Sequence, residues 1–304
     1  MLKKKISTIN QCGREITDQE IEVIKEIVIL CGGLSRIELA QTIAENLQWY
    51  RASGTNKVDA CLKLLEKLES QGILLLPAKR KRKVSRSSVK KSVSITEETE
   101  PQSEIACKLK ELYPVELEIV KDKDITALWK KYMSRYHYLG YKRPFGYTLR
   151  YFIKSRQGRL GCVLFSGAAK SIGNRDRWIG WTEKQRLNNL AWVINNSRFL
   201  IFPWVQVKNL ASHVLGKISR QIRVHWQENW GYSPVLIETF VDPAYYQGIC
   251  YKASNWQYLG MTTGQGLVRK DKFYTTSPKM IFIKPLVKDY RVLLCSEKLV
   301  GRTI

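Results

Sequence analysis

ETFVDPAYYQGICYKASNWQYLG, residues 238–260, is the stretch whose reading decides the fold. Joined to Val235, Leu236 and Ile237, it opens with an apolar, β-branched run over 235–241, which predicts a buried strand. Asp242-Pro243 ends that strand, because proline cannot donate to a ladder. A short helix follows through 247–255, and Tyr258-Leu259-Gly260-Met261 begins a last strand. Upstream, Leu210, Val214, Leu215, Ile218, Ile222 and Trp226 recur at helical spacing, so 209–226 predicts a long helix. Residues 191–194 and 199–202 read as two strand-like runs around the polar Asn195-Asn196-Ser197-Arg198. Residues 149–153 and 160–166 alternate as a hairpin about Gln157-Gly158, and 124–136 reads as a helix feeding His137-Tyr138-Leu139-Gly140. The expected main domain is therefore a mixed α/β unit over 105–290, with 291–304 as a tail.

The first 77 residues predict a separate module, which makes the whole chain α+β. Helical stripes occur at Ile21, Ile24, Ile27 and Val28, at Ile37, Ala40, Ile43, Ala44 and Leu47, and at Cys61, Leu62, Leu65 and Leu68. Ser35-Arg36-Ile37-Glu38 has the capping-box pattern at the second helix. Ile73-Leu74-Leu75-Leu76-Pro77 reads as a short strand. Three helices and then a strand is a winged-helix layout, with a plain helical interaction module as the alternative. Its third helix offers Lys57 to nucleic acid, but Asp59, Glu66 and Glu69 keep that face only modestly basic. Between the two units, 78–104 reads as a disordered basic linker. It carries eight Lys/Arg from Lys79 to Lys91, many serines, and an acidic end at Glu97, Glu98 and Glu100. Lys79, Arg80, Lys81, Lys83 and Arg82 are expected to track phosphates, where a mere spacer would need less charge.

The 304 residues carry 51 Lys and Arg against 27 Asp and Glu, a net charge of +24. So large a surplus calls for a polyanionic partner, and nucleic acid is the commonest. No apolar run approaches the length of a spanning helix, and MLKKKISTINQCGREIT has no signal-peptide core, so no membrane partner is expected. The seven cysteines are scattered without a C-x-x-C pair, which indicates neither zinc nor a disulfide framework. A cytoplasmic protein with reduced thiols is expected.

Several residues are candidates for chemistry. Arg175 and Arg177 beside Trp178 and Trp181 suit a groove that binds phosphates and bases; the same residues equally suit an Arg–Asp pair under core tryptophans. Arg186 and Arg198 extend the basic series, and Lys208 precedes the long helix, near whose start Ser212 and His213 stand where helix dipoles favour anions. Glu238 and Asp242, four apart on one strand, would share a face if the strand is regular. Such a carboxylate pair suits general base work or a hydrogen bond to a base's exocyclic amine, or else it serves an arginine partner and a turn. No metal site is assigned.

The order of elements, with a tyrosine helix after the late strand, resembles the GNAT acyltransferase fold. The string Gly248-x-x-Tyr251-x-Ala253-x-Asn255-Trp256 also resembles the phage Mom DNA-modification proteins. Closer still, HYLGYKRPFGYTLRY, RDRWIGWTEKQR, NNSRFLIFPWVQVKNLASHVL and the 238–260 string resemble the DruA-like family, named for the Druantia anti-phage system and found also beside transposases. The N-terminal string SRIELAQTIAENLQWYRASGTNKVDACLKLLEKLESQGILLLP is similar to that family's N-terminal region. The resemblance implies Tyr251 as a general acid, and in Mom-like proteins it singles out Arg198, Ser212, Asp242 and Tyr251. Residues 205–212 lack the glycine-rich pattern that holds a GNAT cofactor's pyrophosphate, which counts against acetyl-CoA, and the cofactor stays unassigned. Three functions remain open: a component of an anti-phage or mobile-element system that engages and modifies DNA, a non-catalytic adaptor recruiting a helicase, nuclease or transposase, and a recombinase.

Overall fold

A computed structural model describes residues 9–31, 34–78, 97–144, 146–264 and 276–297. Two hydrophobic cores form, one under the N-terminal helices and a larger one around a seven-stranded sheet.

The N-terminal unit begins with a hairpin, β1 (Ile9–Gln11) and β2 (Arg14–Ile16). Helices α1 (Asp18–Leu30), α2 (Arg36–Asn46) and α3 (Val58–Ser70) follow. The expected capping box at Ser35 and Glu38 is present, and Thr17 with Glu20 makes a second. The strand expected at 73–77 is a correction. These residues belong to no ladder among the described residues, and the strands of this unit precede the helices. Side chains hold the segment instead. Arg36 grips Glu69 with two bonds of 2.8 and 3.0 Å and donates from Nε to the Pro77 carbonyl at 2.7 Å, while Glu69 accepts the Leu76 amide. A bidentate guanidinium–carboxylate pair of this kind positions chain as firmly as a short ladder would.

The main sheet has the order β3-β4-β5-β6-β7-β9-β8. Its strands are β3 (Glu116–Ile119), β4 (Leu149–Ser155), β5 (Gly158–Gly167), β6 (Val193–Ile201), β7 (Leu236–Val241), β8 (Gln257–Met261) and β9 (Met280–Pro285). Helices α4 (Lys123–Tyr136) and α7 (Leu210–Trp230) cover it. The pleat shows which faces they take. Tyr151 meets His225 of α7 at 3.1 Å, while the next residue, Phe152, meets Tyr132 of α4 edge-on. Successive strand residues point to opposite faces, so the two helices sandwich the sheet. Both faces are covered, and β5 accordingly buries every residue from Leu160 to Ser166. Helices α5 (Gly173–Ile179) and α6 (Glu183–Asn189) lie in the connection before β6; α8 (Ile249–Ala253) follows β7, and α9 (Tyr290–Leu294) ends the described chain.

Every strand pair is antiparallel except β6 and β7, which pair in parallel over only three positions, Val193–Leu236, Ile194–Ile237 and Asn195–Glu238. Strand β6 is continuous, which corrects the expectation of two runs around a polar break. The break is a bulge: Leu164 faces Arg198 and Phe165 faces Asn196, leaving Ser197 as the extra residue. Past the three rungs, side chains span the opening wedge. Thr239 Oγ1 donates to the Asn196 carbonyl at 2.9 Å, and Tyr251 Oη donates to Asn196 Oδ1 at 3.1 Å.

Two expected boundaries also shift. The acidic end of the linker is packed: a 3₁₀ turn, Glu97–Thr99, sits on α4, Arg135 grips Glu100 at 2.8 and 2.9 Å, and Tyr132 donates to the Glu98 carbonyl. Opposite charge and a buried Thr99 explain the ordering. The tail expected from 291 begins inside α9, whose Leu294 is buried and whose carbonyl accepts from Asn189.

Candidate nucleic-acid interface

Asp176 organises the surroundings of the RDRW string. Its Oδ1 accepts from Arg175 Nε at 2.9 Å and from the Trp181 indole at 3.1 Å, and its Oδ2 accepts from Ser171 and the Ile172 amide. Arg175 Nη1 then donates to Glu238 Oε2 at 2.7 Å and to the Ala169 carbonyl at 2.8 Å. The Ala169 amide donates to the other Glu238 oxygen. Arg175 and Glu238 have no exposed side-chain surface. Burial pushes the Glu238 carboxyl up, and Arg175 opposes that shift. Burial also works against charge on Arg175, but Glu238 and Asp176 outweigh it and hold its proton more firmly than usual. This is a structural ion pair at the floor of β7.

Four sequence expectations change as a result. Arg175 and Trp181 are buried and already bonded, so neither presents a surface to nucleic acid. Both Glu238 oxygens are engaged, one by Arg175 and the other by the Ala169 amide, and neither faces solvent. Glu238 also shares no partner with Asp242. Trp178 is half-buried, stacked on Tyr290 at 4.8 Å with Arg291 over its ring at 5.0 Å, so its face is already occupied. Arg186 donates to the Lys170 carbonyl and lies beside Glu183 and Asp176, leaving little of it exposed. Arg177 and Lys208 are exposed, and Lys57 reaches the Cys12 carbonyl at 3.4 Å. Lys79, Arg80, Lys81, Arg82 and Lys83 lie outside the described residues.

The remaining candidates fall in two places. Ser212 donates to the Asn209 carbonyl and lines a cleft of about 570 Å³ between α7 and the end of α8, with His213, Arg220, Asn255 and Lys284. Asp242, Tyr251 and Arg198 gather where the wedge opens past the three rungs. Asp242 caps β7, accepting from Lys279 Nζ at 3.1 Å, from Ser277 and from the Ala244 amide. The Lys279 ammonium and the Ala244 amide hold its carboxyl below the usual range. Tyr251 is buried, and burial pushes its phenol well up, so it stays protonated and serves as a donor, here to Asn196. Arg198 is half-buried, donating to the Gly140 and Ser197 carbonyls; among the described residues it has no carboxylate partner.

His137 and Tyr138 complete this opening, stacked at 4.9 Å. Tyr138 packs in turn on Tyr245 at 4.6 Å and on Tyr246 at 5.7 Å. The sequence reading missed Tyr245, Tyr246 and Lys279. The available signal was a Tyr-Tyr pair one residue after a strand-ending Asp-Pro, where side chains have no core to enter.

His137 gives a pH prediction. Burial, and then the nearby Arg198, depress its imidazole to about 4 from the ordinary 6.5. The Leu139 amide donates to its Nδ1, a bond that protonation would remove. A depressed imidazole is neutral when folded, while the unfolded chain takes a proton below about 6.5. Its contribution to stability is therefore full above that pH and is lost as pH falls toward 4, by roughly 2 kcal/mol after allowing for partial exposure. Urea denaturation between those pH values should show a flatter profile for His137→Gln than for the wild type. Parallel profiles would refute the assignment.

A family profile described as Druantia protein DruA matches residues 67–277. The chain belongs to the DruA family. In this DruA chain the matched region starts within α3 and includes Arg175, Asp176, Trp181 and Glu238 and the tyrosines of the opening, but ends before Lys279 and Tyr290, whereas the sequence resemblance had been expected over nearly the full length. No curated protein matches the sequence. Solved structures similar to this DruA chain include a chimera of spermidine N-acetyltransferase SpeG from Vibrio cholerae and hSSAT, with 10% identity over 58% of this chain and 97% of that one, TM-score 0.37. Aminoglycoside acetyltransferase AAC(6')-Ib in complex with coenzyme A and kanamycin is another, with 16% identity over 56% and 94%, TM-score 0.34. Among the described residues of this DruA protein, no helix is long and apolar enough to cross a membrane, no group of three metal-ligating side chains occurs, and the cysteines are free.

Proposed function

We propose that this protein is the DNA-engaging component of a Druantia-type anti-phage system. The observation that carries this reading is the charge surplus of +24. Lys and Arg in that excess repel one another until phosphates neutralise them, and release of the counterions around DNA drives the association. Within this reading an adaptor, handing DNA to a helicase, nuclease or transposase of the same system, is favoured over group transfer. The reason is specific: Glu238, Asp242 and Tyr251 each hold a different internal partner, Arg175, Lys279 and Asn196. The same division removes the carboxylate pair that a recombinase would use.

The test is fluorescence anisotropy with labelled duplex DNA, single-stranded DNA and RNA over a salt series. The expected plot of log affinity against log salt has a slope of about −4 or steeper, a loss of about 250-fold or more for a fourfold rise in salt. If no probe binds in dilute buffer, or if binding ignores salt, the reading fails.

A further inference from the structure

The tyrosine opening is built as a rigid, exposed aromatic platform. Tyr245 and Tyr246 are 63% and 56% exposed, unusual for two adjacent large rings. Their turn does not flex freely, because both backbone amides donate to the Asp242 carbonyl, at 3.2 and 3.0 Å, and Asp242 Oδ1 takes the Ala244 amide. Tyr138 supports the pair from beneath and is itself backed by the His137 ring. The Arg198 guanidinium reaches the same segment: its Nε donates to the Gly140 carbonyl at 3.1 Å, and the Gly140 amide donates to the His137 carbonyl at 2.7 Å. Arg198 is held by two carbonyls alone. Asp242 is at the same opening but is engaged by Lys279, so Arg198 bonds no carboxylate among the described residues; a half-buried cation in that state, near exposed rings, is complementary to a group that offers both a negative charge and a flat π-face.

Resting on the DNA-engaging reading above, we propose that Tyr138, Tyr245, Tyr246 and Arg198 form a seat for one unstacked nucleotide of single-stranded DNA. The base lies on the outer faces of the tyrosine rings, and its phosphate meets the Arg198 guanidinium. Both halves follow from ordinary chemistry: base–aromatic stacking tolerates any base, and guanidinium–phosphate contacts are charge-assisted hydrogen bonds. A paired duplex hides its base faces, so the platform selects for an opened strand.

The experiment compares labelled single-stranded DNA, an abasic strand of equal length, single-stranded RNA and duplex DNA. Wild-type protein should prefer the base-bearing DNA strand over the abasic strand by about tenfold or more, the scale of one or two stacked bases. The double variant Tyr245→Ala, Tyr246→Ala should lose that preference while its duplex affinity stays unchanged. Arg198→Gln should weaken both single strands alike and retain the preference between them. The inference is overturned if wild type does not distinguish base-bearing from abasic strands, if the double variant keeps the distinction, or if RNA binds more tightly than DNA of the same sequence. Binding to duplex without the single-strand preference leaves the function of the preceding section standing and removes only the seat. Failure to bind any probe removes both.

Discussion

Arg175→Ala should destabilise the main domain by about 3–5 kcal/mol, the usual consequence of removing one member of a buried ion pair. Glu238 would be left with no cation at a site that has no exposed side-chain surface. It would then either carry an unbalanced charge out of water or take up a proton against its surroundings. The Ala169 carbonyl and Asp176 would each lose a donor as well. For a domain of this size the midpoint of thermal unfolding should fall by about 10 °C. Circular dichroism melts measure it directly. The double variant Arg175→Met, Glu238→Leu should recover part of the loss, because it removes both charges together and leaves apolar volume behind. A melt of Arg175→Ala superimposed on the wild type would show that the pair contributes nothing. Glu238→Gln carries a second message: measured well below its own midpoint, its DNA affinity should match the wild type, since the carboxylate never reaches the surface.

Gly161→Ala should cost about 3 kcal/mol, toward or beyond the upper end for overpacked cores. A Cβ at Gly161 would stand 2.1 Å from the Leu200 carbonyl oxygen and 3.1 Å from the Ile201 Cα. Both obstacles are backbone of the neighbouring strand, so no rotamer change relieves them. Strands β5 and β6 would have to part at the Gly161–Ile201 end of their ladder. A control separates this clash from the general effect of losing a glycine. Gly173 opens α5, and a Cβ there meets nothing within 4 Å. Gly173→Ala should leave the melt unchanged or raise it slightly, since alanine favours a helix over glycine by about 1 kcal/mol. If Gly161→Ala and Gly173→Ala melt together, β5 and β6 are not packed as closely as described.

Elements with strong periodicity were legible in the sequence. The apolar stripe of α7, the alternation of β4 and β5 and the buried run of β7 all correspond to elements found there. Elements defined by tertiary demand were not. Asn195, Asn196 and Ser197 look like a turn because polar residues normally mark one. They continue a strand because Asn196 is needed as polar cross-bracing, donating to the Leu164 and Arg198 carbonyls and accepting from Tyr251. Strand β9 inserts between β7 and β8 although it follows both in the chain, and nothing local encodes that insertion. The N-terminal hairpin is three residues a side, too short to give a pattern.

The candidate site divides on similar lines. That Arg175 pairs with Asp176 under the tryptophans was an open alternative from the RDRW string itself, but its other carboxylate partner, Glu238, is 63 residues away and only the fold supplies it. Arg198, Asp242 and Tyr251 were singled out by resemblance, and the structure brings them to one opening. The rings that make this opening a surface, Tyr245 and Tyr246, carry no periodicity and belong to a turn.

The narrow seam between β6 and β7 has a mechanical consequence. On one side stand β3 to β6 and on the other β7, β9 and β8, each group joined by antiparallel pairing, continuous from β7 to β9 and broken by an irregularity between Tyr258 and Met261 at the β8 edge. Three parallel rungs and a handful of side-chain hydrogen bonds join the halves. That seam is where the sheet changes from antiparallel to parallel pairing, and past its rungs lies the tyrosine opening. Load applied there by a pulled strand would bear directly on that seam, as a change in the angle between β6 and β7.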